Sequence, residues 1–157
     1  MRRSDREVTD REQLLQMIRA CQVCRLAMQD ADGLYIVPMN FGFEWPQDEP
    51  LTLYVHCASE GRRVSALKQD PHLAFEMDRQ LQQVGGELPC SYGCLYESII
   101  GTGEAFFLTD AAEKQHALKV LMKHQTGLDF SFTPAMAEAV TVLKIVASSV
   151  SGKARLQ

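Results

Sequence analysis

Residues 53–71, LYVHCASEGRRVSALKQDP, change their periodicity near the middle of the segment. The first five residues alternate apolar with polar or aromatic side chains, which is the two-residue period of a half-buried strand. Beyond Ser59 the apolar residues recur at the three- and four-residue spacing of a helix. The pattern therefore predicts a strand that ends near Cys57, a tight turn, and a helix that begins at Arg62 with Ser59 as its N-cap.

Arg62 and Arg63 fall in the first turn of this predicted helix, which is an unusual place for cations. The N-terminus of a helix already carries partial positive charge, so two guanidinium groups there are unfavourable unless an anion joins them. Phosphate is the anion that helix N-termini and arginines bind most readily. The alternative is that both arginines point into water and that Glu60 balances their charge.

The composition describes one folded domain over residues 1–157. Hydrophobic residues make up 46% of the chain, the formal net charge is −4, and no block of lysine and arginine occurs. These values argue against a disordered chain and against nucleic acid as a partner. No apolar run approaches the ~20 residues that span a bilayer, and no signal-peptide core follows the polar first ten residues. The sequence therefore favours a cytoplasmic protein.

The five cysteines do not indicate a disulfide framework, because their number is odd and the chain shows no export signal. Cys21 and Cys24 form a C-x-x-C, and Cys90 and Cys94 form a C-x-x-x-C, so together they offer four thiolates to zinc. This combination of spacings is not a usual zinc pattern, and Cys24 lies in an apolar run typical of a core residue. We therefore predict no metal site.

Periodicity along the chain predicts six strands, at residues 23–28, 34–44, 51–57, 72–78, 95–108 and 140–150. Helices are predicted at residues 10–20, with Thr9 opening a capping box, after Arg62, and at residues 110–125. A short helical turn is predicted at Pro134. The aperiodic residues 79–94 are predicted to form a long loop.

Pro38 lies inside the second predicted strand. Because proline cannot donate to a strand ladder, this strand is an edge, is bulged, or leaves one side open to something else. Most connections are short and most strands alternate apolar with polar residues, which favours an antiparallel sheet closed into a barrel.

No motif supplies a protein nucleophile with a partnered base, so an enzyme of this sequence would depend on a cofactor. His56 precedes the proposed anion site and is the histidine best placed to contact a ligand. His116 and His124 lie on a predicted helix, where surface or packing roles are expected. Glu76 and Asp78 lie two apart on one strand face, which a solvated face explains as well as a carboxylate pair does.

Six segments in order resemble the flavin-binding split-barrel proteins of the pyridoxamine-phosphate-oxidase-like superfamily, and among them the nitroimidazole-resistance proteins. The segments are MRRSDRE at 1–7, VCRLA at 23–27, VPMNFG at 37–42, HCASEGRR at 56–63, SIIGTG at 98–103 and SGK at 151–153. The resemblance implies a mainly β fold, a six-stranded antiparallel split β-barrel with inserted helices. It also implies an FMN-dependent oxidoreductase similar to nitroreductases, with FAD as the other possible flavin.

The resemblance also assigns cofactor-binding residues. The flavin ring is expected along the V-P-x-N strand, and the flavin phosphate at the H-x-A-x-E-G-x-K segment. The residues concerned are Val37, Pro38, Met39 and Asn40 for the ring, and Ala58, Ser59, Gly61, Arg62 and Arg63 for the phosphate. Arg63 stands where the family usually has lysine, and a guanidinium can also pair with phosphate.

His56 corresponds to a family histidine at the substrate side of the ring, which makes it the candidate catalytic residue as a proton donor or substrate anchor. Family members are homodimers with two flavin sites at the subunit interface. Ser98 and Ile99 are therefore expected to contact the flavin of the partner subunit, and Lys153 of the closing segment is a further cofactor-binding candidate.

Two other functions stay open at this stage. The chain could bind flavin or haem without turnover, or sense redox state through Cys57, because a flavin-binding protein and a flavin enzyme look alike in sequence. It could also be a pyridoxamine-phosphate oxidase, but the sequence shows no second cluster of arginine and lysine for a phosphorylated substrate.

Overall fold

The computed structural model describes residues 3–157, so Met1 and Arg2 of the MRRSDRE segment lie outside the described residues. The helices are α1 Arg11–Ala20, α2 Arg62–Gln69, α3 Ala111–Thr126 and α4 Pro134–Glu138. The strands are β1 Glu7–Val8, β2 Val23–Asp30, β3 Gly33–Asn40, β4 Gly42–Glu44, β5 Thr52–Cys57, β6 His72–Val84, β7 Gly93–Phe107 and β8 Thr141–Arg155. None of the helices in this part of the chain is long and apolar enough to cross a membrane.

The sheet curls until its two edges meet. Its strand order is β3-β2-β6-β7-β8-β5-β4, with β1 beside β8, and the pairings are antiparallel. β3 and β4 stand at opposite ends of this order, yet Phe41 alone separates them in the chain. The edges therefore meet at Phe41, which confirms the predicted mainly antiparallel β class.

The predicted count of six strands was wrong. The structure divides residues 34–44 into β3 and β4, and it adds the two-residue β1 beside β8. Phe41 is fully buried at the division, and Gly42 lies so close to α3 that a Cβ there would collide with the backbone of Leu121. Long-range packing, rather than local pattern, thus breaks the strand.

Because the two edges of the sheet meet only at Phe41, they leave a gap beyond that point. β4 pairs with β5 only at Thr52–Tyr54, so residues 55–57 have no strand partner on that side within the described part of the chain. Among the strands of residues 3–157, β3 pairs with β2 alone, so its second edge is also unpaired there. We call the gap between residues 37–40 and residues 55–57 the seam. The interpretation of Pro38 as an edge residue is confirmed.

Two predicted helix caps lie one or two residues from their observed places. α1 is capped by Asp10, whose Oδ1 accepts from the Gln13 N–H at 2.8 Å, and not by Thr9. α2 is preceded by Gly61 rather than capped by Ser59, since Gly61 makes the turn with a φ of 123° that side chains disfavour. The predicted stop at Asp70 is confirmed.

The long loop predicted at residues 79–94 is mostly a two-stranded ribbon. β6 continues to Val84 and β7 begins at Gly93, with a register shift between Gln80 and Gln82. Most of this ribbon is exposed and the shift interrupts alternation, so the sequence carries no two-residue period there. We call residues 80–95 the arm.

Candidate functional site

The start of α2 offers unused backbone donors. Its first intrahelical bond runs from the Ser65 N–H to the Gly61 carbonyl at 3.0 Å, and no side chain of the described residues caps the preceding amides. The amides of residues 62–64 therefore face outward from the helix end. Together with the helix dipole, they form the arrangement that binds anions in many proteins.

The side chain of Arg62 binds the β2–β3 hairpin rather than the helix end itself. Its Nε and Nη2 donate to the two carboxylate oxygens of Asp30 at 2.7 and 2.8 Å, and its guanidinium lies 4.7 Å from the centre of the Tyr35 ring. The hydrogen bond from Arg62 lowers the pKa of Asp30, and the same bond raises the pKa of Arg62. Asp30, and not Glu60, balances the charge of this arginine, so Arg62 links the start of α2 to the β2–β3 hairpin.

Arg63 differs from Arg62 in its burial and in its hydrogen-bond partners. It is half-buried, its Nη1 lies 2.8 Å from the Met39 sulfur, and its Nε is buried without a hydrogen-bond partner among the described residues. A thioether is a weak acceptor, and a buried unsatisfied donor costs about 1–3 kcal/mol. A guanidinium held in this way is arranged to receive an acceptor that the protein does not itself supply.

The edge strand β3 brings the second group of predicted residues to Arg63. Val37 and Met39 point inward and pack against the barrel core, whereas Pro38 and Asn40 point outward. The Asn40 amide donates to the Gln22 carbonyl at 3.2 Å and to Gln125 Oε1 at 2.9 Å, so this side chain is fixed. The V-P-x-N strand and the start of α2 thus meet at the Arg63–Met39 contact.

His56 lies at the end of β5, on the other side of the seam from β3. Its side chain is exposed, and no described residue forms a hydrogen bond with it. Cys57 is buried beside it, and the exposed residues 58–61 lead from β5 to α2. The ring is free to meet a molecule placed in the seam.

Ser98, Ile99 and Lys153 are not part of this cluster within one chain. Ser98 pairs with Lys153 across β7 and β8, and β7 lies three strands from β3, about 14 Å at ~4.8 Å per strand. Ile99 is 1% exposed, so its side chain fills the core. A ligand on the outer face of β7 would contact Ser98, and Lys153 lies on the paired strand.

The remaining candidate groups have structural partners. Arg25 Nη1 donates to Glu76 at 2.9 Å and to Asp78 at 2.6 Å, so these carboxylates belong to an ion-paired sheet face. His116 lies 3.0 Å from Glu44, and the ring of His124 lies 2.7 Å from the Cys21 carbonyl. These contacts confirm surface and packing roles for both helix histidines.

The cysteines of the two short motifs lie in different surroundings. Cys21 and Cys24 are buried, Cys90 is exposed and Cys94 is half-buried. Burial raises the pKa of Cys24 to about 12 and that of Cys21 to about 11, which keeps both as thiols. Within residues 3–157, no three His, Cys, Asp or Glu side chains are grouped to hold a metal ion.

A cavity lies on the outer face of the sheet, beside β3. Its volume is about 640 Å³, and it is lined mainly by residues of β2, β3 and β6, with the exposed Leu34 and Ile36 at one side. Sequence reasoning missed this surface, and it also missed Asp30 and Tyr35 as the partners of Arg62. The register of the β2–β3 hairpin is the information that would have revealed both.

Comparisons with known proteins agree with this architecture. A family model described as pyridoxamine 5′-phosphate oxidase matches residues 10–154. The chain is similar to a Bacteroides thetaiotaomicron protein provisionally described as a 5-nitroimidazole antibiotic resistance protein, with 30% identity, 94% of this chain and 86% of that chain covered, and a TM-score of 0.80. No curated protein gave a significant match.

Two further solved structures share the fold at lower identity. The flavocytochrome Anf3 from Azotobacter vinelandii is 18% identical over 100% of this chain and 72% of that chain, with a TM-score of 0.79. An FAD and heme binding protein from Mycobacterium smegmatis is 16% identical over 97% of this chain and 74% of that chain, with a TM-score of 0.80. Both likenesses concern the fold alone.

Proposed function

This chain belongs to the pyridoxamine 5′-phosphate oxidase family, and on that premise we propose that it is an FMN-dependent oxidoreductase that reduces nitroaromatic compounds such as nitroimidazoles. The observation that carries the proposal is the Nε of Arg63 at the start of α2, a buried donor that has no hydrogen-bond partner among residues 3–157. It is a cation next to free amides, and a flavin phosphate is an anion with several acceptor oxygens.

The residues of the seam fit the rest of the flavin. The unpaired edge of β3 presents backbone groups beside the Arg63–Met39 contact, and polar flavin ring atoms need such groups as partners. Val37 and Met39 add apolar surface at the same place. When bound, FMN supplies the two-electron chemistry, with a nicotinamide or another electron carrier as donor and the nitro group as acceptor.

The protein's own part is positioning and proton supply. Arg63 and the amides of residues 62–64 hold the phosphate, and the Arg62–Asp30 pair fixes the β2–β3 hairpin against α2. His56 stands across the seam with a free ring, where it can donate a proton to the acceptor or anchor it. Reduction of a nitro group consumes protons, so a side chain that can donate a proton has a direct use at this place.

A homodimer completes the proposed site. Ser98 lies three strands from β3 in its own chain, about 14 Å at ~4.8 Å per strand, and Lys153 lies on the next strand, so both residues suit the flavin of a second copy. The outer sheet face next to β3 exposes Leu34 and Ile36 at 86% and 62%, and aliphatic side chains exposed to this degree suit burial against a partner.

The proposal is tested with purified protein. We expect flavin absorbance in the fresh preparation, saturable FMN binding by the flavin-free protein, and reoxidation of the reduced, flavin-loaded protein by a nitroimidazole faster than that of free FMN. The absence of measurable binding at tens of micromolar FMN would contradict flavin binding. A protein that binds FMN without accelerating reoxidation is a flavin carrier instead. Analysis of the released cofactor distinguishes FMN from FAD.

A further inference from the structure

The contact between Arg63 and Met39 joins a strong donor to a weak acceptor. Arg63 Nη1 donates to the Met39 sulfur at 2.8 Å, and the Nε of the same guanidinium is buried without a hydrogen-bond partner among residues 3–157. A thioether sulfur is only a weak acceptor, so these donors are poorly satisfied. An oxygen atom bonded to this sulfur would satisfy them, because oxidation converts the apolar thioether into a polar sulfoxide whose oxygen accepts hydrogen bonds.

Met39 also lies where a small oxidant can reach it. Three other methionines are closed to solvent: Met17, Met28 and Met77 are exposed by 4% or less. Met39 is half-buried on β3, and the edge of that strand turned away from β2 borders the seam. Met136 on α4 is 57% exposed and therefore gives an internal reference for the oxidation of an accessible methionine.

We propose that Met39 is a site of reversible oxidation, at which the sulfoxide oxygen accepts from the Arg63 guanidinium in place of an external anion. The oxidant is hydrogen peroxide. The sulfur forms a bond to one peroxide oxygen, the O–O bond breaks, and the second oxygen leaves as water with both hydrogens. The sulfur loses the two electrons that the peroxide gains, and methionine sulfoxide reductases reverse the change.

The position of Arg63 favours oxidation at this methionine. Negative charge develops on both oxygens as the O–O bond breaks, and a cationic donor already at hydrogen-bond distance stabilises that charge without reorganisation. Arg63 and Met39 are 24 positions apart in the chain. They are held together because the bonds of Arg62 to Asp30 fix the β2–β3 hairpin, and with it β3, against the start of α2.

The consequence for a ligand rests on the proposed function, which assigns the flavin phosphate to Arg63 and to the amides of residues 62–64. A sulfoxide on Met39 competes for the same guanidinium N–H groups from within the protein, so oxidation should lower FMN affinity. Hydrogen peroxide forms when dioxygen, instead of a nitro compound, takes two electrons and two protons from a reduced flavin. The site would therefore respond to its own unproductive turnover.

The first test follows oxidation and affinity in the same sample. Purified flavin-free protein is treated with hydrogen peroxide, its thiols are reduced again, and peptide mass spectrometry gives the oxidised fractions of Met39 and Met136. We expect a Met39 sulfoxide, a rise of about tenfold in the FMN dissociation constant, and reversal of both by a methionine sulfoxide reductase. Bound FMN should slow the oxidation of Met39 and leave that of Met136 unchanged.

Two substitutions locate the effect. Met39→Leu removes the oxidisable sulfur, so peroxide should leave its FMN dissociation constant unchanged, whatever the value before treatment. Met136→Leu removes the exposed reference methionine and should respond to peroxide as the wild type does. A rise of equal size in Met39→Leu would overturn the inference, as would a Met39 that stays unoxidised while Met136 is fully converted.

A second measurement needs no flavin. Met39→Gln places an amide oxygen where the sulfoxide oxygen would lie. It should raise the urea midpoint when Arg63 is present, because it satisfies the guanidinium, and lower the midpoint in the Arg63→Met background, where the half-buried amide loses that partner. The same shift in both backgrounds would overturn the inference.

The two tests also separate this inference from the proposed function. Coupling between positions 39 and 63 together with Met39 oxidation, but without FMN binding at tens of micromolar, supports the oxidation site and refutes flavin use. FMN binding that oxidation of Met39 leaves unchanged refutes the oxidation switch and leaves the proposed function standing.

Discussion

Replacing Arg63 with methionine should weaken FMN binding and stabilise the flavin-free protein at the same time. The substitution keeps most of the side-chain volume and removes the guanidinium, whose Nε is buried without a hydrogen-bond partner in the described part of the chain. Hydrogen bonds to a charged group contribute about 1.5–3 kcal/mol, which corresponds to roughly a 10- to 150-fold rise in the FMN dissociation constant.

The stability effect has the opposite sign for a physical reason. A buried unsatisfied donor costs about 1–3 kcal/mol, and the weak hydrogen bond from Arg63 to the Met39 sulfur offsets little of that cost. Without FMN, Arg63→Met should therefore raise the free energy of unfolding by about 1 kcal/mol. A residue kept for structure alone would show a loss.

The assay is FMN fluorescence quenching for affinity and urea unfolding for stability, with two matched variants. Arg62→Met removes the neighbouring guanidinium, which is bound to Asp30, and should change FMN affinity far less. Arg63→Lys restores the charge and should recover most of the affinity. Equal losses for Arg62→Met and Arg63→Met, or an unchanged affinity in Arg63→Met, would refute the assignment of the phosphate to Arg63.

Three further substitutions address chemistry, packing and pH dependence. His56→Ala should lower nitroimidazole turnover by about 100-fold or more without changing FMN affinity, whereas His116→Ala should alter neither; steady-state rates equal to wild type would remove His56 from the reaction. Gly42→Ala should cost about 1–3 kcal/mol in urea unfolding, because its Cβ would collide with the Leu121 backbone, and an unchanged midpoint contradicts that close approach. Burial lowers the pKa of His124 in the folded protein below its value in the unfolded chain. As the pH falls, the unfolded chain therefore binds a proton at this histidine first, and the free energy of unfolding decreases. The stability that neutral His124 contributes is present above about pH 6.5 and is lost as the pH falls. His124→Gln should flatten that dependence between pH 7.5 and 5.5, and an unaltered slope would show that another group controls it.

The fold class was predictable because alternation and short connections are local features. The point of closure was not. Residues 37–44, VPMNFGFE, fit a single strand in sequence, and the break at Phe41 depends on how closely Gly42 packs against α3. The arm was missed for a related reason, since a ribbon exposed on most of its surface has no need for an apolar period.

The candidate site was predictable in its parts and not in its assignments. The charge pattern at the start of α2 indicated an anion, but the two arginines were equivalent in sequence. They differ in the structure because the hairpin register places Asp30 beside Arg62 and Met39 beside Arg63. Such pairings join residues more than twenty positions apart, and periodicity carries no information at that range.

The last strand also has a consequence for how the chain is made. β8 pairs with β1, β5 and β7, and its contact with β1 joins Lys153 to Glu7. A nascent chain must therefore hold the open edges of three earlier strands until residues 141–155 have left the ribosome. Pairings this distant in sequence make folding slow, and unpaired edges invite aggregation meanwhile. We expect the chain to need chaperone protection until β8 has emerged and to complete the barrel only at that point.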